Sequence, residues 1–294
     1  MARSVSPTLS IVIPTRNEAR NLEVVLPELP VAHEVILVDG NSVDDTVATA
    51  RRLMPDIRVL HQTRKGKGNA LACGFLAATG DIVVMFDADG SADPAEIPAF
   101  VQALVNGADF AKGTRYRRGS DGADGGSEDI TPLRDMGNRG LNMISNKLFG
   151  TSFTDLCYGY NAFWRDIVPL LDLPSPQLDR ALVPETGMVW CDGFEIETVI
   201  NCRVVAAGLK VAEVASVERP RVYGESNLRT FSDGYRVLRT LASERRRAND
   251  LQQVRRARVL THHAQHYTFA LPARLEPVLE PALESVFESE ADQR

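Results

Sequence analysis

The sequence predicts an α/β domain built on a mostly parallel sheet. Short apolar runs alternate with amphipathic stretches through the first half of the 294-residue chain. Strands and helices that alternate at this spacing form βαβ units. Polar residues also follow three of the apolar runs directly, at 14–18, at 39–42 and from 87 onward. Since ligands bind beyond the carboxyl ends of the strands in such sheets, we expect a binding site there.

The elements follow from hydrophobic periodicity, taken along the chain. Four apolar runs are predicted to be buried strands: 9–14, 34–39, 57–62 and 81–87. The stretches between them are predicted to be helices: 18–29, 43–53 and 67–78. Two further helices are expected near 134–148 and 194–207. Two further strands are expected near 158–164 and 210–218. The chain then becomes helical and Arg-rich, so we divide it into a main domain, 1–231, and a helical extension with an acidic tail, 232–294.

Composition limits the classes of function. The net charge of −6 argues against a surface that binds nucleic acid, and we predict no nucleic-acid partner. No apolar run approaches the ~20 residues of a spanning helix, and the first residues lack the apolar core of a signal peptide. We therefore predict a cytoplasmic protein without a transmembrane helix, which could still contact the inner face of the membrane. The four cysteines have no paired spacing, which predicts reduced and mostly buried thiols.

A pair of acidic residues follows the fourth predicted strand, in DADGSADP. Asp87 ends the strand and Asp89 lies in the turn after it, so both carboxylates can converge on one hard cation. Mg²⁺ or Mn²⁺ is held by one or two carboxylates plus phosphate oxygens and water, as a nucleotide-diphosphate donor requires. The alternative is an acidic turn without a ligand, since Asp and Gly favour turns. The position at a strand end favours the metal.

The segment IVIPTRNEARNL carries polar residues between the first strand and the first helix. In the functional interpretation, Pro14, Thr15 and Glu18 lie around a nucleoside. In the structural one, Asn17 is the N-cap of the helix. Asp39 ends the next strand, in VDGNSVDDT, where it could accept hydrogen bonds from a base or ribose, or cap the helix that follows.

A third signal is RKGKGNAL, with two lysines and two glycines at a helix start. Backbone N–H groups, the helix dipole and Lys67 together suit an anion. The segment is neither a Walker A motif nor a G-x-G-x-x-G fingerprint, and a solvated basic loop is the alternative.

Together, SIVIPTRNE, VDGNSVDDT, GKGNAL, DADGSADP and GTRY resemble the family 2 glycosyltransferases, which have the GT-A fold, a Rossmann-like and mostly parallel sheet flanked by helices. The order and spacing are most similar to the polyprenol-phosphate branch, of the dolichyl-phosphate mannosyltransferase type. By this resemblance, Asp87 and Asp89 hold the metal and the diphosphate, and Lys67 lies near the donor phosphates. The nucleoside pocket is then lined by Pro14, Thr15, Glu18 and Asp39.

The resemblance extends to the acceptor side. Arg115 in GTRY and Arg134 in LRDMGN match arginines expected to hold an acceptor phosphate, a task that guanidinium groups suit. Arg221, in RPRVYGESN, would clamp a phosphate when its loop closes. Asp89 and these three arginines form the predicted catalytic set. Two positions of LRDMGN, its leucine and its asparagine, depart from the family's tryptophan and serine.

The resemblance therefore implies an inverting transferase that moves a sugar from a UDP- or GDP-linked donor, with Mg²⁺ or Mn²⁺ as cofactor. The pair of Arg115 and Arg134 favours a phosphate acceptor such as polyprenyl phosphate, because an ionised phosphate needs no general base. Two alternatives stay open: a soluble transferase of the same fold that acts on a hydroxyl acceptor, and a non-catalytic membrane-surface or scaffold protein. The Arg-rich helix could lie on an anionic membrane or be a solvated helix packed on the main domain.

Overall fold

The computed structural model of the chain describes residues 3–116, 125–128, 130–224 and 234–251. The chain forms two compact units, Met1–Arg245 and Arg246–Arg294, and the second is described as far as residue 251, where it is helical. The predicted boundary at 231/232 falls among residues outside the described ranges and stays a prediction. Within the described ranges, no helix is both long enough and apolar enough to cross a bilayer.

A seven-stranded sheet forms the centre of the first unit. Its strands, with a small second sheet of β6 and β9, are β1 (Leu9–Thr15), β2 (Glu34–Asp39), β3 (Arg58–His61), β4 (Ile82–Met85), β5 (Phe110–Thr114), β6 (Gly126–Ser127), β7 (Asn161–Trp164), β8 (Val211–Ala215) and β9 (Val217–Glu218). The order is β3-β2-β1-β4-β7-β5-β8, and every neighbouring pair is parallel except those of β7, which runs antiparallel to β4 and β5. The predicted mostly parallel α/β sheet is confirmed.

Helices cover both faces of this sheet. They are α1 (Ala19–Glu28), α2 (Thr46–Leu53), α3 (Lys67–Ala77), α4 (Ile97–Val105) and α6 (Ile196–Ala206). Two further helices are α5 (Pro132–Phe149) and α7, residues 234–251, which both contribute to a separate small apolar cluster. Side chains alternate along β1, so that Ile11 and Ile13 pack toward α1, α2 and α4 while Val12 packs toward α3 and α6. Both apolar layers are fully buried at their centres, which makes the sheet a rigid support for the loops at its edge.

The predicted elements of the described residues are present, and the sequence does not predict three of the observed strands and α-helices. The unpredicted elements are β5, the two-residue strand β6 and α4, and the predicted strand 210–218 is divided into β8 and β9. β5 lacks an apolar pattern because Lys112 lies in its middle, with its side chain fully buried and Nζ donating to the Tyr158 carbonyl at 3.1 Å. Burial lowers the pKa of Lys112, while the charges of Asp155 and Glu213 oppose that effect. A charged residue at a buried strand position breaks the signal on which strand prediction depends.

The surroundings of Glu34, at the start of β2, make the free energy of unfolding depend on pH. Partial burial alone would raise its pKa, but hydrogen bonds from Ser10 Oγ and from the N–H and hydroxyl of Thr79 outweigh burial, and with Arg58 they lower the pKa from 4.5 to about 2. The stabilisation is therefore present above pH 4.5 and is lost as the pH falls toward 2. Glu34→Gln should lower the free energy of unfolding by about 2 kcal/mol at pH 7 and by roughly half of that at pH 3, measured by urea denaturation. Glu23→Gln, at an exposed ion pair, is the control and should change neither value. An equal loss at both pH values would contradict the assignment.

Candidate active site

A cavity of about 990 Å³ opens at the carboxyl ends of β1 and β4. Nine of the ten residues predicted to form the site line it: Pro14, Thr15, Glu18, Lys67, Asp87, Asp89, Arg115, Arg134 and Arg221. The exception is Asp39, which is not among the lining residues and is only 2% exposed. Its carboxylate accepts hydrogen bonds from the Ser42 N–H at 3.2 and 3.3 Å and contacts His61 at 3.4 Å. Asp39 therefore holds the loop after β2 from behind the cavity wall, and its predicted contact with a nucleoside stays a prediction.

The acidic pair lies where the sequence predicts, just beyond the end of β4. The carboxylate of Asp87 binds Lys67 Nζ at 2.8 Å, and the same Nζ lies 2.6 Å from Glu197 Oε1. Loss of solvent raises the pKa of Asp87; Lys67 opposes this, and the charges of Asp89 and Glu197 add to it. For Lys67, burial alone would lower the pKa, but Asp87 and Glu197 raise it above the ordinary value. Lys67 is therefore a fixed positive charge beside the acidic pair.

The turn that follows orients Asp89. Its Oδ1 accepts hydrogen bonds from the N–H of Ser91 at 3.0 Å and from the Ser91 hydroxyl at 2.7 Å. Gly90 between them has φ +78°, a left-handed conformation that glycine adopts at no steric cost. Its missing Cβ also leaves room for Val222, whose Cγ2 would lie 2.6 Å from such an atom. Ser91 thus fixes the carboxylate of Asp89 through one oxygen and leaves the other for a cation.

The second oxygen of Asp89 contacts the cation of Arg221. Its Nη1 lies 3.3 Å from Asp89 Oδ2, and its Nη2 pairs with Glu18 Oε1. The segment 219–224 is attached to α1, since the N–H of Tyr223 donates to Asn21 Oδ1 at 2.9 Å and the Asn21 amide donates to the Tyr223 carbonyl at 3.1 Å. Arg221 therefore joins two predicted donor-binding carboxylates across the mouth of the cavity.

The start of α3 corrects one part of the prediction. The N–H groups of Gly68 and Asn69 both donate to the carbonyl of Asp192, at 2.7 and 3.3 Å, so these amides are not available to an anion. The start of α3 lies very close to the backbone of residues 191–192, because a Cβ on Gly68 would lie 1.9 Å from the carbonyl oxygen of Cys191. The glycines of this motif therefore serve backbone packing, and the side chain of Lys67 is what remains for donor phosphates.

The structural alternatives weighed for the first turn also need correction. Asn17 is not the N-cap of α1, a position taken by Glu18, which makes no capping hydrogen bond. Asn17 has φ +58°, and its Oδ1 accepts from the N–H of Val43 at 2.9 Å. It joins the loops after β1 and β2. The cysteines are free, with three of the four buried, as predicted.

The residues at the strand end suit a divalent metal ion. The donor set is two carboxylates, Asp87 and Asp89, in the wall of a cavity large enough for a nucleotide. In the described part of the chain, no group of three or more His, Cys, Asp or Glu side chains is arranged to hold a metal. Two carboxylates completed by ligand oxygens and water are typical of Mg²⁺, which seldom occupies an all-protein cage. The site therefore fits an ion that binds together with a diphosphate.

The opposite end of the cavity, here called the acceptor end, is formed by one side of α5. Its lining residues there are Arg134, Gly137, Asn138 and Leu141. α5 begins at Pro132, and its N-cap Thr131 accepts a hydrogen bond from the N–H of Arg134 at 3.3 Å. The predicted acceptor arginine Arg134 thus lies in the first turn of a helix, on the cavity side. Asn138, where the family pattern has a serine, lies one turn farther along the same side.

Arg115, the other predicted acceptor arginine, is engaged by protein carboxylates. Its Nε and Nη2 bind Asp155 at 2.7 and 2.9 Å, and its Nη1 binds Glu218 at 2.8 Å. Asp155 is fully buried and Arg115 is 9% exposed. Arg115 therefore joins β5, the segment before β7 and β9, and positions the wall of the acceptor end. The sequence segment TDLCYGY contains Asp155, but nothing local in it indicates this partner.

This pairing predicts a large loss of stability in Arg115→Met. Removing the guanidinium leaves Asp155 buried without its ion-pair partner, which should reduce the free energy of unfolding by about 3–5 kcal/mol. Arg52→Met breaks the exposed pair with Glu23, in which both side chains are more than half exposed, and should cost less than about 1 kcal/mol. Equilibrium urea unfolding of both variants is the measurement. Equal small losses would mean that Arg115 is held only weakly and is available to a ligand.

Comparison with known proteins gives a consistent result. The family model described as "Glycosyl transferase family 2" matches residues 10–169. An uncharacterized glycosyltransferase of Mycobacterium tuberculosis is 40% identical over 107 residues, which is 36% of this chain and 48% of that relative, so the match spans about half of its length. The polyprenol monophosphomannose synthase of Mycolicibacterium smegmatis is 32% identical over 231 residues, covering 74% of this chain and 80% of the relative.

Solved structures share the fold. The glucosyl-3-phosphoglycerate synthase from Mycobacterium tuberculosis, crystallised with Mn²⁺, uridine diphosphate and glucosyl-3-phosphoglycerate, superposes with a TM-score of 0.60. The alignment covers 81% of this chain and 80% of that one at 23% sequence identity. At this identity the likeness establishes a common GT-A architecture, and it leaves donor and acceptor open.

Proposed function

The chain belongs to glycosyl transferase family 2, and we propose that it is an inverting glycosyltransferase that moves a sugar from a UDP- or GDP-linked donor to a phosphate acceptor such as polyprenyl phosphate. One observation carries this proposal. Asp87, Asp89, Lys67 and Arg221 converge on one cavity at the carboxyl ends of parallel strands, and they supply both the anionic and the cationic groups that a metal-bound diphosphate needs.

The donor end is the part of the cavity nearest β1 and β4. Asp87 and Asp89 would hold Mg²⁺ or Mn²⁺, which when bound supplies positive charge to the departing diphosphate. Lys67 adds a second positive charge beside the same oxygens, and Pro14 and Thr15 border the space for the nucleoside. Charges that are fixed before the reaction stabilise a leaving group without reorganisation.

Arg221 would change partners when the donor binds. Its bonds to Glu18 and Asp89 must open for a cation to reach Asp89, which leaves the guanidinium beside the donor phosphates. An arginine suits that exchange because its planar donors match carboxylate and phosphate equally well. The arginine that is predicted to bind a phosphate therefore binds two carboxylates until the donor replaces them.

The acceptor end supports a nucleophile that is already ionised. Six carboxylates of the described residues line the cavity, and each is held by a basic side chain or by backbone N–H groups: Glu18, Asp87, Asp89, Glu195, Glu197 and Glu218. A hydroxyl group would have to displace that partner before the carboxylate could accept its proton. A phosphate oxygen can attack the anomeric carbon without losing a proton, while the bond from that carbon to the diphosphate oxygen breaks and the electron pair leaves with the diphosphate. Arg134 would bind the attacking phosphate.

The same observation weakens both alternatives. A hydroxyl acceptor requires a base within hydrogen-bond reach, and the cavity carboxylates are already engaged. A non-catalytic scaffold has no need for an acidic pair, a partly buried lysine and a bridging arginine in one cavity. Of the predicted Arg-rich extension, 232–294, only residues 234–251 are described, and they form the helix α7.

A donor panel tests the proposal. The purified full chain is incubated with Mn²⁺ or Mg²⁺ and individual UDP- and GDP-sugars, and the release of nucleotide diphosphate is measured with and without a prenyl phosphate. We expect release with one donor class, acceleration by the prenyl phosphate and loss on chelation. Acceleration by hydroxyl compounds alone would replace the phosphate acceptor with the hydroxyl one. An absence of both binding and release with every donor would overturn the transferase assignment.

A further inference from the structure

The two carboxylates that bind Arg115 lie in different surroundings. Asp155, which binds Nε and Nη2 at 2.7 and 2.9 Å, is fully buried and is not among the residues that line the cavity. Glu218 binds Nη1 at 2.8 Å, lines the cavity together with Arg115 and keeps 21% of its side-chain surface exposed. Asp155 therefore fixes the guanidinium from behind, while Glu218 covers the nitrogen on the cavity side.

The two partners also differ in how strongly they hold the arginine. Burial alone would lower the pKa of Arg115, but Asp155 and, to a smaller extent, Glu218 raise it. Breaking a buried ion pair is costly, whereas water screens a pair that is partly exposed. A phosphate that enters the cavity would therefore replace Glu218 at Nη1 and leave the bonds to Asp155 in place. Guanidinium suits this exchange, because it binds carboxylate and phosphate with the same geometry.

Glu218 begins a short segment that also lies against the turn carrying Asp89. We call residues 218–222 the linking segment. The N–H of Arg219 donates to the Ser91 carbonyl at 2.8 Å, and the N–H of Val222 donates to the Asp89 carbonyl at 3.0 Å. Both hydrogen bonds are made by the backbone, on either side of Gly90. The linking segment therefore follows the proposed metal-binding turn residue by residue.

The linking segment thus contacts both ends of the cavity. At the donor end, its Arg221 pairs with Asp89 and Glu18. At the acceptor end, its Glu218 pairs with Arg115. The donor would break the first set of bonds and the acceptor phosphate would break the second. Since one short segment makes both sets, the loss of either set weakens what holds the other, and each ligand favours the binding of its partner.

We propose that Glu218 is a positioning residue that couples the two substrates: it occupies Nη1 of Arg115 in the free chain and releases it to the acceptor phosphate when the donor displaces Arg221. The inference rests on the proposed function, since it requires a phosphate at one end of the cavity and a metal-bound diphosphate at the other. It also explains why a predicted acceptor arginine is bound by protein carboxylates. Direct electrostatics between the ligands predicts the opposite effect, because two anions repel each other.

Isothermal titration calorimetry of the full chain tests this coupling. Geranyl phosphate, a short prenyl monophosphate, is titrated into the protein alone and into the protein saturated with Mn²⁺ and whichever of UDP and GDP raises its melting temperature. No sugar is present, so no transfer occurs. The test variant, Glu218→Gln, keeps the shape of the side chain and removes its charge.

Glu128→Gln is the matched control, because it removes the same charge beside the same segment. The backbone N–H of Glu128 donates to the Glu218 carbonyl at 2.9 Å, while the side chain of Glu128 is exposed and does not line the cavity. A general effect of net charge would appear equally in both variants. An effect of the bond to Arg115 would appear in Glu218→Gln alone.

In the wild type and in Glu128→Gln, Mn²⁺ with the nucleotide should raise the affinity for geranyl phosphate by at least about fivefold, the lower end of typical coupling between sites. In Glu218→Gln, the affinity without nucleotide should already be close to the wild-type value with nucleotide, and the nucleotide should change it by less than about twofold. The reverse titration, of nucleotide into protein with and without geranyl phosphate, should give the same factors, because coupling is reciprocal.

Three results would overturn the role of Glu218 and leave the proposed function intact. They are a wild type that binds both ligands without coupling, a coupling that persists in Glu218→Gln, and a Glu218→Gln that binds geranyl phosphate more weakly under both conditions, as loss of a purely structural contact would cause. A wild type that binds nucleotide and never binds geranyl phosphate would remove the phosphate acceptor together with this role. A wild type that binds no nucleotide would remove the transferase assignment and the coupling with it.

Discussion

Asp89→Asn should lower kcat/KM for sugar transfer by about a thousandfold, equivalent to ~4 kcal/mol of transition-state stabilisation. Asparagine has the shape of aspartate, so the carbonyl oxygen can keep the two hydrogen bonds from Ser91. The charge that faces Arg221 and the proposed metal is what the substitution removes. The variant should therefore fold normally and fail at the step in which the diphosphate departs.

Metal binding gives a readout that does not depend on activity. In the wild type, Mn²⁺ with UDP or GDP should raise the melting temperature, since a ligand that binds only the folded state stabilises it. In Asp89→Asn this rise should largely disappear, while the melting temperature without ligand stays close to that of the wild type. The control is Asp56→Asn, at an exposed position in the turn before β3, which should match the wild type in both measurements. A full ligand-dependent rise in Asp89→Asn, together with normal transfer, would remove Asp89 from the metal site.

The location of the site was predictable because a parallel sheet places chain-distant residues at one edge. Asp87 and Glu18 each follow a strand of the same parallel set, so a rule about strand ends is enough to bring them together. Lys67 is reached in the same way, since it starts the helix after β3. For these three residues, the local sequence pattern and the sheet topology both predict a position at this edge of the sheet.

The partners of Arg115 could not be predicted from the sequence. The motif GTRY identifies a conspicuous arginine, but its charge is satisfied by Asp155 and Glu218, which are 40 and 103 residues away. Such partners depend on how β7 and β9 are placed in the sheets, and no local periodicity encodes that. The same reason explains why the predicted anion site at the amides of Gly68 and Asn69 is wrong, because their acceptor, the carbonyl of Asp192, is distant in sequence.

Lys67→Met is the second variant with a large expected effect. Lys67 Nζ lies between Asp87 and Glu197, at 2.8 and 2.6 Å, and is the one lysine among the described residues that line the cavity. Without it, the diphosphate loses a stabilising charge, and kcat/KM should fall by about a hundredfold to a thousandfold. Lys67→Arg retains the charge in a different shape and should lose less.

The pH dependence of this variant distinguishes electrostatics from simple loss of a contact. Loss of solvent already raises the pKa of Asp87, and Lys67 is the group that opposes the rise. Removing Lys67 should raise that pKa further, because Asp89 and Glu197 then repel the ionised form without compensation. Asp87 must be ionised to hold the metal, so the acidic limb of the kcat/KM profile should move to higher pH in Lys67→Met and remain in place in Lys67→Arg.

Lys65→Met provides the matched control, because Lys65 lies two residues away, is exposed and does not line the cavity. Its kcat/KM and its acidic limb should both equal those of the wild type. If Lys67→Met lost activity with an unmoved acidic limb, Lys67 would contact the donor without setting the charge of Asp87. If the limb moved while the loss of kcat/KM disappeared at high pH, Lys67 would act only by keeping Asp87 ionised, and the charge on the departing diphosphate would have to come from the metal and Arg221.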